Sequence, residues 1–138
     1  MRRARYVLTA RAAADLREAR TWSRARWGKE LTSKYFDDLH KGAQFVAENH
    51  SALRGRQELS GRTSLLVYPL REHYIVYEPL AEQFIAVVAA IRQGRDVPAI
   101  LLKWSAPIRR ELMEIRVKIE RGEITWPTQS VVKPRRKK

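Results

Sequence analysis

The short β-rich stretch "RYVLT", Arg5 to Thr9, reads as a strand, whose side chains point to opposite faces in turn. The period then lengthens. From Ala10 to Trp27 the residues Ala12, Leu16, Ala19 and Trp27, with Ser23 in the gap, recur at helical spacing, while Arg11, Arg17, Glu18 and Arg24 fall on other faces. Thr9 is placed to cap this helix and Gly28 to stop it. The helical period resumes from Lys29 to about Glu48 with Leu31, Tyr35, Leu39 and Val46. Two amphipathic helices joined by so short a turn pack as an antiparallel hairpin.

The stretch Asn49–Thr63, "NHSALRGRQELSGRT", is rich in turn-formers and charge and is expected to be a loop, at most with one helical turn. Three β-branched and aromatic segments follow, "SLLVYP", "HYIVYEP" and "QFIAVVAAI", punctuated by Pro69 and Pro79 and spaced for antiparallel hairpins. The last of them has no polar face, so it is expected at the centre of the sheet, covered on both sides. It stops at Arg92, Gly94, Arg95 and Asp96; the glycine suits a turn with positive φ and the aspartate a structural role in that turn. Beyond it, Pro98 and Pro107 stand like first-turn helix residues, and Ile108, Leu112, Ile115 and Ile119 keep helical spacing as far as Gly122. From Thr125 periodicity is lost.

The predicted fold is α+β: an N-terminal strand and helical hairpin packed on a small, mainly antiparallel sheet, with an extra C-terminal helix and a basic tail. The expected organisation is a first unit over residues 1–103, a helical extension over 104–124 and an extended basic tail over 125–138. That extension could pack on its own domain, mediate dimerisation or carry the tail to a nucleic acid. Trp104 and Trp126 bracket it and are read as its anchors.

The chain is 138 residues long with 44% hydrophobic content, enough for one core. It has no cysteine, which removes disulfides, thiolate metal ligands and cysteine nucleophiles together, so no metal or cofactor is expected. The basic N-terminus lacks the apolar core of a secretory signal, and the run Phe84–Ile91 is too short to span a bilayer; a cytoplasmic protein without membrane contact is expected. A net charge of +13 favours a polyanion or an acidic protein partner, although arginine-rich composition by itself also produces basic surfaces. The excess is concentrated at the end, where residues 104–138 hold ten Lys+Arg against four Asp+Glu. "KPRRKK" alone would give only weak, salt-sensitive attraction to nucleic acid.

The succession "YVLTARAAADL", "WGKELTSKYFDDL", "GRTSLLVYPLREHYIVYEP" and "FIAVVAAIRQGRD" resembles the ParE branch of the RelE/ParE toxin superfamily of type II toxin–antitoxin systems, over Tyr6 to Leu102. The resemblance implies a growth-inhibiting toxin neutralised by a cognate ParD-like antitoxin, with which it would form a hetero-oligomer; a homodimer is also compatible. ParE-like members inhibit DNA gyrase by binding, whereas RelE-like members cut messenger RNA on the ribosome. Where many relatives carry a histidine before the basic turn, this chain has Arg92, which can grip a phosphate but cannot exchange protons near neutral pH.

That departure favours binding over cleavage. Arg71, Arg92 and Arg95 are the expected target contacts, and Trp27, Leu31 and Tyr35 are expected to supply antitoxin-binding or self-association surface. The rival ribonuclease reading would use His73, Arg71 and Arg92. Of the aromatic pair in the strand, His73 shares a face with Ile75 and Tyr77, while Tyr74 shares the other with Val76, so Tyr74 and Tyr77 are read mainly as packing residues. The four tryptophans are scattered in sequence and are read as core or interface anchors rather than a stacking platform. A third possibility is a non-toxic basic nucleic-acid-binding module.

Overall fold

A computed structural model of the chain describes residues 5–53 and 65–124. Most of the expected loop before the sheet, Trp126 and the whole 125–138 tail lie outside the described residues. The elements run β1 (Tyr6–Leu8), α1 (Ala10–Trp27), α2 (Lys29–Leu53), β2 (Leu66–Leu70), β3 (His73–Ala81), β4 (Phe84–Arg92), α3 (Val97–Lys103) and α4 (Ser105–Glu120). The sheet order is β1-β4-β3-β2; β1 runs parallel to β4 and the other two pairings are antiparallel. The fold is α+β, with helices on both faces of a mixed sheet.

The local signals act as their chemistry requires. Thr9 caps α1 by accepting from the Ala12 N–H, and Gly28 ends the helix at φ 89°, a conformation that costs an L side chain strain. Asp96 caps α3 through the Ala99 N–H rather than pairing with an arginine, and Gly94 sits at φ 98°. Pro69 falls in β2, an edge strand, where a missing N–H is tolerated. Pro79 does not end β3, which continues to Ala81 with an irregular register beyond the proline.

The second helix is longer than its sequence pattern predicts. It continues past Glu48 to Leu53, because Val46 and Ala47 are buried against the sheet, Leu53 packs on the same cluster and the His50 ring bonds the Ala81 carbonyl. Tertiary packing overrides the turn preference of Asn49 and Ser51.

Two cores share β4. On the hairpin face Ala12, Val46 and Ala47 meet Ile75, Tyr77, Ile85, Val87 and Ala90. On the opposite face Val97, Leu101, Ile108 and Leu112 from α3 and α4 meet Leu65, Val67, Val76, Ala86, Val88, Ala89 and Ile91. Of the three placements open to the extension, the structure has α4 packed on its own sheet. Its position is pinned at the rim by the Arg116–Glu78 ion pair and by Glu111 accepting from the Ala10 N–H. Trp104 packs against this core, and the Arg11 guanidinium lies 4.3 Å from its ring centroid.

Among the described residues no helix is long and apolar enough to cross a membrane, and no group of three potential ligands could hold a metal ion. Leu112 is buried in the second core and Val117, on the same helix, is exposed. Leu112→Ala is therefore expected to cost about 2–5 kcal/mol in urea unfolding, while Val117→Ala changes stability by less than about 0.5 kcal/mol. Equal effects would mean that α4 is not part of the folded core.

Candidate functional site

The site begins with a break in the pleat of β4. Ile85 and Val87 face the hairpin, Ala86 and Val88 the opposite side, as a strand period of two requires. Ala89 then repeats the face of Val88, after which Ala90 returns to the hairpin and Ile91 to the other side. The pairing with β3 shows the same break: Val76 is opposite Ala89 and Tyr77 opposite Val87, so Val88 is the extra residue of a β-bulge. One consequence is decisive. Arg92 would share the α4 side with Ala86 and Val88 in an unbroken strand, but it emerges on the side of α1, with its guanidinium 4.2 Å from the centroid of the Trp22 ring.

The bulge is held by α1. Strand β1 ends at Leu8, so the backbone of β4 beyond Val87 has no strand on that edge. Thr9 takes over: its N–H donates to the Val87 carbonyl and its hydroxyl to the Val88 carbonyl at 3.1 Å. Asp15 accepts the Ala90 N–H at 3.1 Å and pairs with Arg11 at 3.1 Å through its other oxygen. Burial raises the Asp15 pKa above the ordinary carboxylate value, against the opposing effects of the Ala90 N–H and Arg11.

At the same end of the sheet, two turns are joined by Gln93. Its backbone N–H donates to the Glu72 carbonyl, and its side-chain amide reaches the carbonyls of Arg71 at 2.9 Å and His73 at 3.2 Å. Arg71 occupies the β2–β3 turn at φ 56°, a left-handed conformation unfavourable for a non-glycine residue. Three contacts brace it: the Gln93 amide, an ion pair to Asp38 at 2.6 Å and the Tyr35 ring beneath its guanidinium.

Beneath these turns lies a buried pair. The Tyr35 hydroxyl accepts the Glu72 N–H at 3.1 Å and bonds His73 Nδ1 at 2.6 Å. The hydroxyl can donate its proton to Nδ1, and in that tautomer the imidazole proton sits on Nε2. Burial lowers the His73 pKa, and the neighbouring Arg92 lowers it further, so the ring is neutral at physiological pH. Burial also raises the Tyr35 pKa.

His73 and Arg92 are register partners on β3 and β4, and together with Arg95 they line one cleft. Arg71 lies outside that cleft, over Tyr35. Tyr35 itself is 3% exposed, which corrects its expected place on a partner-binding surface: its phenol is used inside, under the turns. Leu31 is 60% exposed, and Trp27 is half-buried, edge-on to both Trp22 and Tyr35. His73 faces the hairpin with Ile75 and Tyr77, and Tyr74 packs on the other core with Val76.

Sequence reasoning read Trp22 only as a core or interface anchor and gave no role to Asp15 or Asp38. The guanidinium groups of Arg26 and Arg92 both stack over the Trp22 ring, 4.8 and 4.2 Å from its centroid. The one available signal was the spacing of Trp22, Ala19, Asp15 and Ala12, which places them along one side of α1.

A second concavity opens between the hairpin and β1. It encloses about 360 Å³, and Leu8, Leu16, Phe36, Leu39 and Val87 make it apolar, with Arg17 and Arg20 among its basic residues. Arg20 stacks on Phe36.

The family model for the "ParE toxin of type II toxin-antitoxin system, parDE" matches residues 6–98, well over half of the chain. The chain belongs to the ParE toxin family. Among curated relatives it is 29% identical to Toxin ParE of Escherichia coli over 92 residues, covering 67% of this chain and 87% of that one. Among solved structures, a chain of the chromosomal ParDE toxin–antitoxin system from P. aeruginosa superposes with a TM-score of 0.53 at 17% identity, covering 63% of this chain and 92% of that one. That likeness shows the ParE fold. The family match includes the bulge, both turns and the arginine cluster, but it ends before α4.

Two measurements check the buried pair. Tyr35→Phe leaves Nδ1 of His73 and the Glu72 N–H unmatched and should cost about 1–3 kcal/mol in urea unfolding. His73 should titrate below the ordinary imidazole value of 6.5. The unfolded chain then binds a proton that the folded chain refuses, so this contribution is fully present above pH 6.5 and is lost as pH falls from 6.5 toward the lowered folded value. His73→Gln should flatten that part of the stability profile; an unchanged profile would show that His73 is not the group responsible.

Proposed function

We propose that this ParE toxin arrests growth by binding DNA gyrase through the turn-borne arginines Arg71, Arg92 and Arg95, and that a ParD-like antitoxin neutralises it. The observation that carries the reading is the bracing of Arg71. A non-glycine residue held at positive φ by Asp38, Tyr35 and Gln93 presents a fixed guanidinium on a rigid turn, as a binding residue requires. Arg92, stacked on Trp22, is ordered in a similar way.

Cleavage of RNA would need a base that can reach a 2′-hydroxyl. His73 has its Nδ1 occupied by Tyr35, and its register partner Arg92 exchanges no protons near neutral pH, so the arrangement supports binding better than turnover. The arginines then act through charge-assisted hydrogen bonds to acidic groups on the target.

The groove between the hairpin and β1 suits the antitoxin. Its apolar floor and arginine rim fit an amphipathic segment with acidic flanks, folding as it binds. Exposed Leu8, on the sheet edge beside it, adds apolar contact area.

Supercoiling by gyrase and translation of a reporter, measured side by side with the purified chain, test the reading. Supercoiling should be inhibited and translation spared, with Arg71→Ala and Arg92→Ala each weakening inhibition by about tenfold, the loss of one charged hydrogen bond. Inhibited translation with messenger cleavage and intact supercoiling would instead establish the ribonuclease reading. Leu8→Glu should reduce rescue of growth by the antitoxin without reducing toxicity.

A further inference from the structure

The cleft between α1, the end of β4 and α3 is small and polar, about 260 Å³, and its walls include Asp15, Glu18, Trp22, His73, Arg92 and Arg95. Its groups divide into those already satisfied and those still open. Asp15 is satisfied: one oxygen pairs with Arg11 and the other accepts the Ala90 N–H. Arg92 is only half used. Its face lies on the Trp22 ring, and a stacked guanidinium keeps the N–H groups along its edge free for an acceptor. No carboxylate among the described residues pairs with Arg92 or Arg95.

His73 supplies the inner donor. The residue is 5% exposed and Tyr35 takes its Nδ1; in the tautomer in which Tyr35 donates, Nε2–H has no hydrogen-bond partner among the described residues. His73 lines the cleft, so an N–H that the protein leaves unmatched there is open to an acceptor that enters it. Two guanidinium groups and one neutral donor thus stand against a single uncompensated carboxylate, Glu18. That balance leaves one surplus positive charge, which suits a monoanion; a phosphate dianion would meet repulsion from Glu18.

We infer that this cleft is a receptor for one carboxylate side chain, a glutamate or aspartate of the protein that the toxin inhibits, held by Arg92, Arg95 and the Nε2–H of His73 over the Trp22 ring. This rests on the reading of the arginine end as the target contact. Arg71, outside the cleft, would grip a neighbouring part of the same partner. Trp22 becomes the platform that aims Arg92.

The test uses the full chain labelled with nitrogen-15 at constant ionic strength, and follows the His73 ring nitrogens and the Trp22 indole N–H by NMR. N-acetylglutamate α-amide, which carries one side-chain carboxylate, is titrated against its glutamine counterpart and against inorganic phosphate. The carboxylate probe should give a saturable shift at both residues and the neutral probe none. Arg92→Gln and Arg95→Gln, both at exposed positions, should each weaken the carboxylate probe by about tenfold while leaving the chain folded, with a single cooperative unfolding transition. Non-saturating shifts spread over the basic surface, an equal response to the neutral probe, or tighter binding of phosphate would each overturn the receptor. Gyrase takes no part in the titration, so the two readings fail separately. Saturable carboxylate binding by a chain that leaves supercoiling untouched supports the cleft and removes gyrase as the target; inhibited supercoiling without such binding removes the cleft.

Discussion

The arrangement of the functional end depends on one irregularity, the extra residue at Val88 in β4 and its capture by Thr9 and Asp15. A bulge leaves backbone groups out of register, and buried backbone groups must be matched. Here the match comes from the start of α1, which continues the edge of the sheet where β1 stops. The same two residues therefore join helix to sheet and set which face of β4 carries Arg92. Asp15 performs this at a cost, since burial disfavours its charge, and Arg11 together with the Ala90 N–H offsets that cost.

Much of the architecture was legible because local chemistry and global packing agree. The cap at Thr9, the stop at Gly28, the all-apolar β4 and the turn at Gly94 each state their roles in residue type alone. The end of α2 was not legible: Asn49 and Ser51 favour a turn in isolation, and only the contacts of Val46, Ala47 and Leu53 with the sheet carry the helix through them. Nor was the bulge, because nothing in the run "FIAVVAAIRQ" marks where its period of two slips. Small, uniformly apolar side chains fit either face, so the phase is decided by Thr9 and Asp15, far away in sequence. The site was read in the same uneven way. Three arginines could be named from their turns, but the residues that orient them, Trp22, Tyr35 and Asp38, required the hairpin to be folded against the sheet.

The extension changes the protein in a different respect. The β4 residues Ala86, Val88 and Ile91 face away from the hairpin, and α3 and α4 are what cover them. Since the family match ends before α4, this chain supplies from its own C-terminal part an apolar cover that the matched segment alone does not contain. Among the described residues α4 lines neither the hairpin groove nor the arginine cleft, while α3 contributes Ile100 to the wall of the latter.

Gln93 bonds the backbone of the β2–β3 turn from a position just past β4, so two turns distant in sequence form one mechanical unit. Neither can swing without breaking the other's hydrogen bonds. Flexible loops that carry binding residues lose freedom at the moment of association, which weakens affinity. In this protein the ordering takes place during folding, so an encounter with a partner meets a surface whose shape is already decided. The exposed charges at this end of the molecule stand on backbone that is tied from one turn to the other.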